Sequence, residues 1–106
     1  MLVKQLLGET TLPSADSQLT PRFNASFDRL EQRHKNMCHN KYRRWRKDPQ
    51  SLNFEPKFAG HFGVHIDYGT HAVCRRNGNT VTWLFVGGYN AYERELDEMR
   101  AALRRR

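Results

Sequence analysis

Three residues of this 106-residue chain have side chains that could take part in catalysis and lie close enough in sequence to share a site: His71, Arg75 and Tyr89. An imidazole titrates near neutrality, so His71 could take up or release a proton at physiological pH. The guanidinium group of Arg75 is a planar fork that matches phosphate oxygens. Tyr89 could donate a hydrogen bond or stack on a nucleobase. Together these side chains indicate proton transfer beside a bound phosphate, with His71 as the base or the acid.

The sequence around His71 alternates as in a β-strand, and this alternation decides which side chains can share a site. It places His71 and Arg75 on one face of the strand and Arg76 on the other. Ordinary roles remain open for each residue: a hydrogen-bonded structural histidine, solvated arginines beside a turn, and a tyrosine packed under a helix. Tyr92 lies at helical spacing from Leu96, which favours a place in the core.

The chain is basic, with 18 Lys and Arg against 11 Asp and Glu and a formal net charge of +7. Such a surplus attracts polyanions, and it also favours simple solubility. The densest basic segment is 41–47, where Tyr42 and Trp45 are interleaved with cations. We expect these cations either to contact RNA phosphates or to form a solvated helix face; they are Arg43, Arg44, Arg46 and Lys47.

Length and composition favour one globular domain in the cytoplasm. Hydrophobic residues make up 38% of the chain and charged residues 27%, as in globular proteins. There is neither an apolar run of about 18 residues nor a signal-peptide pattern, so we expect no membrane partner. Cys38 and Cys74 are expected to be reduced and buried. With His39 and His71 they match no common zinc spacing, and we predict neither metal nor cofactor.

A change of composition predicts two parts, a flexible or weakly ordered segment at residues 1–16 and a domain at residues 17–106. The stretch 8–17 is rich in Thr, Ser, Gly and Pro, as linkers are. A short strand is expected at 17–20, next to Pro21, which would confine it to the end or the edge of a sheet.

Apolar residues recur at spacings of three and four from Phe23 to Trp45, which predicts helix. The poor helix formers at 36–40 predict a bend there, or a division into a hairpin of two helices. Pro49 ends the helical region, because the residue before a proline is pushed out of the helical conformation. From there to Gly60 we expect an irregular connection.

After Gly60 the pattern changes to strands. Alternating apolar residues and an Asn77-Gly78 turn predict a meander, which Gly87-Gly88 should end before a final helix. The three strands and the helix are predicted at 62–68, 71–76, 80–86 and from residue 90 onwards. The order of elements predicts an α+β fold in which a helical hairpin packs on a small antiparallel sheet, with a C-terminal helix.

Three segments, taken in order, resemble the RelE/ParE superfamily of toxins from bacterial type II toxin–antitoxin systems. They are LTPRFNASFDRL, DPQSLNFEPKFAG and FGVHIDYGTHAVCRRNGNTVTWLFVGGYNAYER. The likeness covers about residues 17–96 and depends on the order and spacing of the segments. It implies a compact toxin, an antitoxin that wraps over the sheet, and chemistry without metal.

The resemblance also implies two activities. Many members cut messenger RNA in the ribosomal A site, using Lys, Arg, His and Tyr side chains, whereas the ParE branch inhibits DNA gyrase without cutting RNA. Where the family has a Tyr-Arg-Ala step, this chain has Thr70-His71-Ala72. Where many members have Gly-x-His, it has Gly87-Gly88-Tyr89.

The main hypothesis is therefore a ribosome-dependent mRNA endoribonuclease that inhibits translation, with His71, Arg75 and Tyr89 as catalytic residues. Its partners would be a cognate antitoxin, the ribosome and messenger RNA. The expected RNA-binding residues are Arg43, Arg44, Arg46, Lys47, Lys57, Arg76 and Tyr92. The alternatives are a ParE-type toxin that binds DNA gyrase and an inactive toxin fold that binds only its antitoxin.

Overall fold

The computed structural model describes residues 16–105. In chain order its elements are β1 (Asp16–Leu19), α1 (Pro21–Asp28), α2 (Gln32–Lys47), a 3₁₀ helix (Pro49–Ser51), β2 (Glu55–Phe58), β3 (His61–Asp67), β4 (Thr70–Asn77), β5 (Thr80–Gly88) and α3 (Tyr89–Arg104). The segment expected to be weakly ordered, residues 1–16, lies outside the described residues except for Asp16, with which β1 begins. None of the described helices is both long and apolar enough to cross a membrane.

The five strands form one sheet in the order β1-β5-β4-β3-β2. Neighbours from β2 to β5 are antiparallel, while β1 runs parallel to β5 and pairs Leu19 with Trp83. The predicted α+β fold, with a helical hairpin and a C-terminal helix, is confirmed. The sheet is mixed rather than purely antiparallel, because β1 pairs in parallel with the edge of β5 that β4 leaves open.

Two boundaries in the helical region differ from the sequence-based expectation. The break between α1 and α2 falls at residues 29–31, so the bend expected at 36–40 was wrong. Packing of Cys38 in the core holds the weak helix formers of α2 in helical conformation. Helix α1 begins at Pro21, and the Thr20 hydroxyl accepts a hydrogen bond from the backbone N–H of Phe23 at 3.1 Å.

The strands also differ in three places. The connection expected to be irregular contains the edge strand β2. Pro56 lies within β2, and a proline makes a strand hard to predict from sequence because it cannot donate a hydrogen bond to the sheet. Gly87-Gly88 does not end β5, which continues through both glycines. Tyr68, expected in the alternation of the first meander strand, lies in the turn after β3 and is 97% exposed.

The sheet has a packed core on each face. Helices α1 and α2 cover one face, and α3 covers the other. The first core contains Cys38, Trp45, Val64, Ile66, Ala72, Cys74, Val81, Trp83 and Val86. The second contains Val73, Phe85, Tyr92 and Leu96. Successive residues of β4 therefore point alternately towards the helical hairpin and towards α3.

Candidate functional site

His71 lies at the centre of a cluster of rings on the sheet face that α3 covers. It pairs across β3 with His65, and the two imidazoles stack with centroids 5.0 Å apart and 14° between their planes. From α3, the ring of Tyr92 stacks on His71 at 4.9 Å, and the ring of Tyr89 meets it edge-on at 5.5 Å. Four rings with polar atoms thus meet at one end of the sheet.

The junction between β5 and α3 brings the tyrosines to His71. Gly88 ends β5 opposite Thr70, so the first turn of α3 begins beside the start of β4. Tyr89 and Tyr92 are three residues apart and therefore lie on the same side of the helix. Sequence spacing alone relates these two residues, but the pairing of β4 with β5 is needed to place them over His71.

Gly63 makes room for the Tyr92 hydroxyl. A Cβ atom at Gly63 would lie only 2.0 Å from Tyr92 Oη and 3.1 Å from Lys57 Cε. Any side chain at this position would therefore displace the tyrosine, the lysine or both. The close approach is possible because glycine has no Cβ.

Lys57 brings positive charge to the cluster from β2. Its Nζ lies 6.0 Å from the centroid of the Tyr92 ring and 3.5 Å from Glu55 Oε1. Burial of the ammonium group opposes its charge, but Tyr92 and Glu55 outweigh burial and raise the pKa of Lys57. Lys57 is therefore a cation at neutral pH.

His71 is held in its neutral form. Burial lowers the pKa of its imidazole, and the neighbouring His65 and Lys57 lower it further. Its Nδ1 atom is buried and has no hydrogen-bond partner among residues 16–105, and the opposing attraction of Glu55 and Glu93 is too weak to reverse the lowering. A neutral imidazole is the form that can act as a general base.

The two tyrosines differ in exposure. Tyr92 is 2% exposed in the core beneath α3, where burial raises the pKa of its phenol. This burial agrees with the core role left open for Tyr92 in the sequence. Tyr89 is 54% exposed, and its pKa is raised by a hydrogen bond with Glu93. Both phenols keep their protons at neutral pH, but of the two only Tyr89 has a ring substantially exposed to a ligand.

The two arginines of β4 lie outside this cluster. Arg75 is on the α3 side of the strand but four residues from His71, about 13 Å along the strand. Arg76 points to the opposite face, where its guanidinium lies 4.8 Å from the centroid of the Phe54 ring and 5.8 Å from that of Phe62. The alternation expected from the sequence is present, but only His71 of these three polar residues is in the ring cluster.

The basic segment of α2 is also separated from His71. Trp45 is 3% exposed and fixes α2 to the sheet face opposite α3. The basic residues around Trp45 are exposed; they are Arg43, Arg44, Arg46 and Lys47. The sequence-predicted RNA-binding residues therefore divide between the two faces, with Lys57 and Tyr92 on the side of His71.

His65 was missed in the sequence. Its alternation with Gly63 along β3 was visible, but the register of β3 against β4 was not, and only that register places His65 opposite His71. Its Nε2 donates a hydrogen bond to the backbone carbonyl of Asp67 at 2.6 Å. This contact fixes the imidazole that stacks on His71.

The cysteines take no part in the site. Cys38 and Cys74 are free and buried, as expected. Burial raises the pKa of Cys38 to about 11 and that of Cys74 to about 12, so both thiols stay protonated at neutral pH. Within the described part of the chain, no three His, Cys, Asp or Glu side chains are grouped as metal ligands would be.

A cavity of about 310 Å³ lies between α1, α2 and the sheet, away from His71. Its lining is predominantly apolar and includes Phe23, Phe27, Cys38, Tyr42, Ile66 and Trp83. Since the polar rings lie on the other face, the cavity does not coincide with the candidate site.

Comparison with known proteins gives a match for the fold. Neither a family model nor a curated protein matches the sequence. Among solved structures, the RelB–RelE antitoxin–toxin complex from Methanococcus jannaschii matches with a TM-score of 0.63 and 7% identity, over 74% of this chain and 96% of the other. YafQ from Escherichia coli matches with a TM-score of 0.61 and 13% identity, over 74% of this chain and 97% of the other.

Two further matches are to complexes. The DinJ–YafQ toxin–antitoxin complex of E. coli gives a TM-score of 0.62 at 11% identity, covering 74% of this chain and 97% of the other. The RelBE2 toxin–antitoxin complex from Mycobacterium tuberculosis gives 0.58 at 16% identity, covering 72% and 99%. The chain therefore has the RelE-like fold, the fold of toxins from toxin–antitoxin pairs.

Proposed function

We propose that this protein is the toxin of a type II toxin–antitoxin pair and cuts messenger RNA on the ribosome. The fold supports the toxin assignment and a cognate antitoxin as partner. One observation carries the nuclease assignment: an imidazole with a lowered pKa lies among a lysine and two tyrosines, and Tyr89 is exposed to a ligand. We further propose a cytoplasmic protein whose residues 17–106 form the toxin domain.

The reaction fits the groups around His71. The 2′-hydroxyl of RNA attacks the adjacent phosphate while neutral His71 accepts its proton. A bond forms between the 2′-oxygen and phosphorus, and the bond between phosphorus and the 5′-oxygen breaks. Lys57 stabilises the negative charge of the phosphorane. Tyr89, whose phenol keeps its proton, protonates the departing 5′-oxygen.

The arginines contribute binding in this proposal. Arg75, on the same face but about 13 Å along the strand, holds a phosphate beside the cleaved one rather than the cleaved phosphate itself. The exposed cations of α2 contact ribosomal RNA phosphates on the opposite side, a sequence-independent attraction that weakens with salt. Arg76, on the side of α2, belongs to this second group.

Primer extension on a reporter message in a cell-free translation reaction tests the proposal. Wild-type protein should cut the message only when ribosomes are present, and His71→Ala should abolish the cuts. His39→Ala is the matched control, because His39 is an exposed histidine on α2, on the other side of the sheet. We expect this variant to cut like wild type.

Intact message and normal translation with wild-type protein would contradict the nuclease assignment. Cleavage that survives His71→Ala would contradict the role of His71. Toxicity with DNA damage and gyrase association, in place of cleavage, would instead support the ParE-type alternative.

A further inference from the structure

We propose that Tyr68 forms a stacking site for an unpaired RNA base next to His71. The inference rests on the proposed function and names a binding site within it. Tyr68 occupies the turn between β3 and β4, and its side chain is 97% exposed. A single exposed tyrosine is ordinary on a protein surface, so the argument depends on the position of this one.

The turn lies at the end of the sheet that carries the ring cluster. Asp67 pairs with Thr70, and Thr70 pairs in turn with Gly88, the residue before Tyr89. A Cβ atom on Gly88 would lie 3.8 Å from the carbonyl oxygen of Gly69. The Tyr68 turn and the start of α3 are therefore neighbours, and two exposed tyrosines lie at the end of the sheet where His71 stands.

The residue that precedes Tyr68 is fixed from two sides. The carboxylate of Asp67 accepts a hydrogen bond from His34 Nδ1 of α2 at 2.8 Å. Its backbone carbonyl accepts the hydrogen bond from His65 Nε2 at 2.6 Å. Because the backbone is already ordered, stacking on Tyr68 would cost less conformational entropy than stacking on a loose loop.

RNA fits the turn better than an apolar protein surface does. The residues next to Tyr68 in the chain, Asp67 and Gly69, are polar or lack a side chain, and the nearby Ile66 is buried, so these residues add no apolar surface to the ring. The net charge of +7 attracts a polyanion. An aromatic ring accepts the face of any base, and a single strand cut at His71 must present unstacked bases on both sides of the cleaved bond.

Binding of a short oligouridine with 2′-O-methyl groups, which cannot be cleaved through the 2′-oxygen, tests this site by fluorescence anisotropy. Tyr68→Ala should raise the Kd by about 5-fold to 150-fold, the range for loss of one stacked base. Tyr68→Phe keeps the ring and should bind within about twofold of wild type. Leu19→Ala, at another large exposed side chain (51% exposed) on the far edge strand, is the matched control and should not change the Kd.

Tyr68→Trp adds a readout that a purely structural role would not move. RNA should quench the emission of the new indole, whereas Trp45 and Trp83, at 3% and 4% exposed, should give the wild-type protein little or no quenching. Equal Kd values for wild type and Tyr68→Ala, without quenching in Tyr68→Trp, would overturn the stacking site. So would a Tyr68→Ala variant that loses antitoxin binding but keeps its affinity for RNA.

The reporter-message assay separates this proposal from the proposed function. If wild-type protein and Tyr68→Ala cut equally and bind the oligouridine equally, the stacking site is wrong and the nuclease proposal stands. If wild-type protein cuts no message, the nuclease proposal fails by itself, and the Kd ratio still decides whether Tyr68 stacks on RNA.

Discussion

The two faces of the sheet are built from different kinds of ring. Under α1 and α2, Trp45 meets Trp83 and Phe54 edge-on, with centroids 5.6 and 6.1 Å apart. These contacts belong to the core under α1 and α2, which also borders the predominantly apolar cavity. Under α3, the rings around His71 carry nitrogen or hydroxyl groups, and Tyr89 is half exposed.

The difference lies in the groups that surround buried polar atoms on each face. The buried Nδ1 of His71 lacks a partner among the described residues, and an unsatisfied buried nitrogen costs about 1–3 kcal/mol. On the face that α1 and α2 cover (the hairpin face), the buried Nε1 of Trp83 also lacks such a partner. The two faces therefore differ in what surrounds the unsatisfied atom: apolar rings around Trp83 and titratable rings around His71. A buried polar atom among titratable groups is typical of a functional site.

Truncating a tryptophan of the hairpin face should have the largest effect on stability. Trp45→Ala should lower the free energy of unfolding by about 3–5 kcal/mol, because a fully buried indole is lost. Tyr89→Ala should change it by no more than about 0.5 kcal/mol, since Tyr89 is 54% exposed, yet it should reduce cleavage. Urea unfolding followed by circular dichroism measures both; similar losses would contradict the division between the faces.

Gly63→Ala should have the next largest effect, and on the α3 face. The new Cβ would lie 2.0 Å from Tyr92 Oη, so the variant should lose about 1–3 kcal/mol of stability and most of its cleavage activity. Urea unfolding and the reporter-message assay measure the two losses.

Two variants control this experiment. Gly88→Ala puts a Cβ at an ordinary 3.8 Å from the carbonyl oxygen of Gly69, with φ of −65°. Since Gly88 is the N-cap of α3, where alanine is less favourable than glycine, we expect a small loss of stability, below that of Gly63→Ala. Adding Tyr92→Phe to Gly63→Ala removes the hydroxyl and should restore part of the lost stability. A Gly63→Ala protein as stable as wild type would show that Tyr92 does not need this space.

The pH dependence of cleavage should show the lowered pKa of His71. If neutral His71 is the base, activity falls as pH drops through the pKa of His71, which lies below the ordinary 6.5. With an unperturbed imidazole as the base, the rate at pH 5.5 would be about one-tenth of its plateau at high pH. Because the pKa of His71 is lowered, the measured rate at pH 5.5 should be higher than that. Single-turnover rates between pH 5 and 8 measure this profile; a midpoint above 6.5 would contradict it.

The sequence predicted most of the sheet and of α3, because alternation and helical spacing are local signals. Strands β3, β4 and β5 and the terminal helix lie close to their expected positions. Strand β2 was missed because Pro56 weakens its strand pattern, and the helix break was misplaced because packing of Cys38 overrides weak propensity.

The candidate site was less predictable than the fold. His71 and Tyr89 were found from their residue types and from the resemblance. The stacking of His65 on His71 depends on strand register, and the approach of Lys57 to Tyr92 depends on the empty space at Gly63. Neither contact is a local property of the sequence. The packing of α2 on the face opposite His71, which separates its arginines from the site, also depends on the tertiary fold.

The smallest effect is expected at the contact that joins the two faces. Arg22 of α1 donates from Nε and Nη2 to the carboxylate of Glu95 on α3, each at 2.5 Å. The Arg22 side chain is 60% exposed, so solvent screens the pair, and Arg22→Ala should cost about 0.5–1 kcal/mol. Arg22→Lys keeps the charge but not the paired hydrogen bonds, and should recover only part of this loss.

Thermal unfolding at low and high salt measures this contribution. The difference between wild type and Arg22→Ala should shrink at high salt, because screening weakens the pair in wild type. A loss as large as that of Trp45→Ala would mean that the 10% exposed carboxylate of Glu95 cannot be left without its partner. The two faces would then be coupled through this pair, rather than packed independently on either side of the sheet.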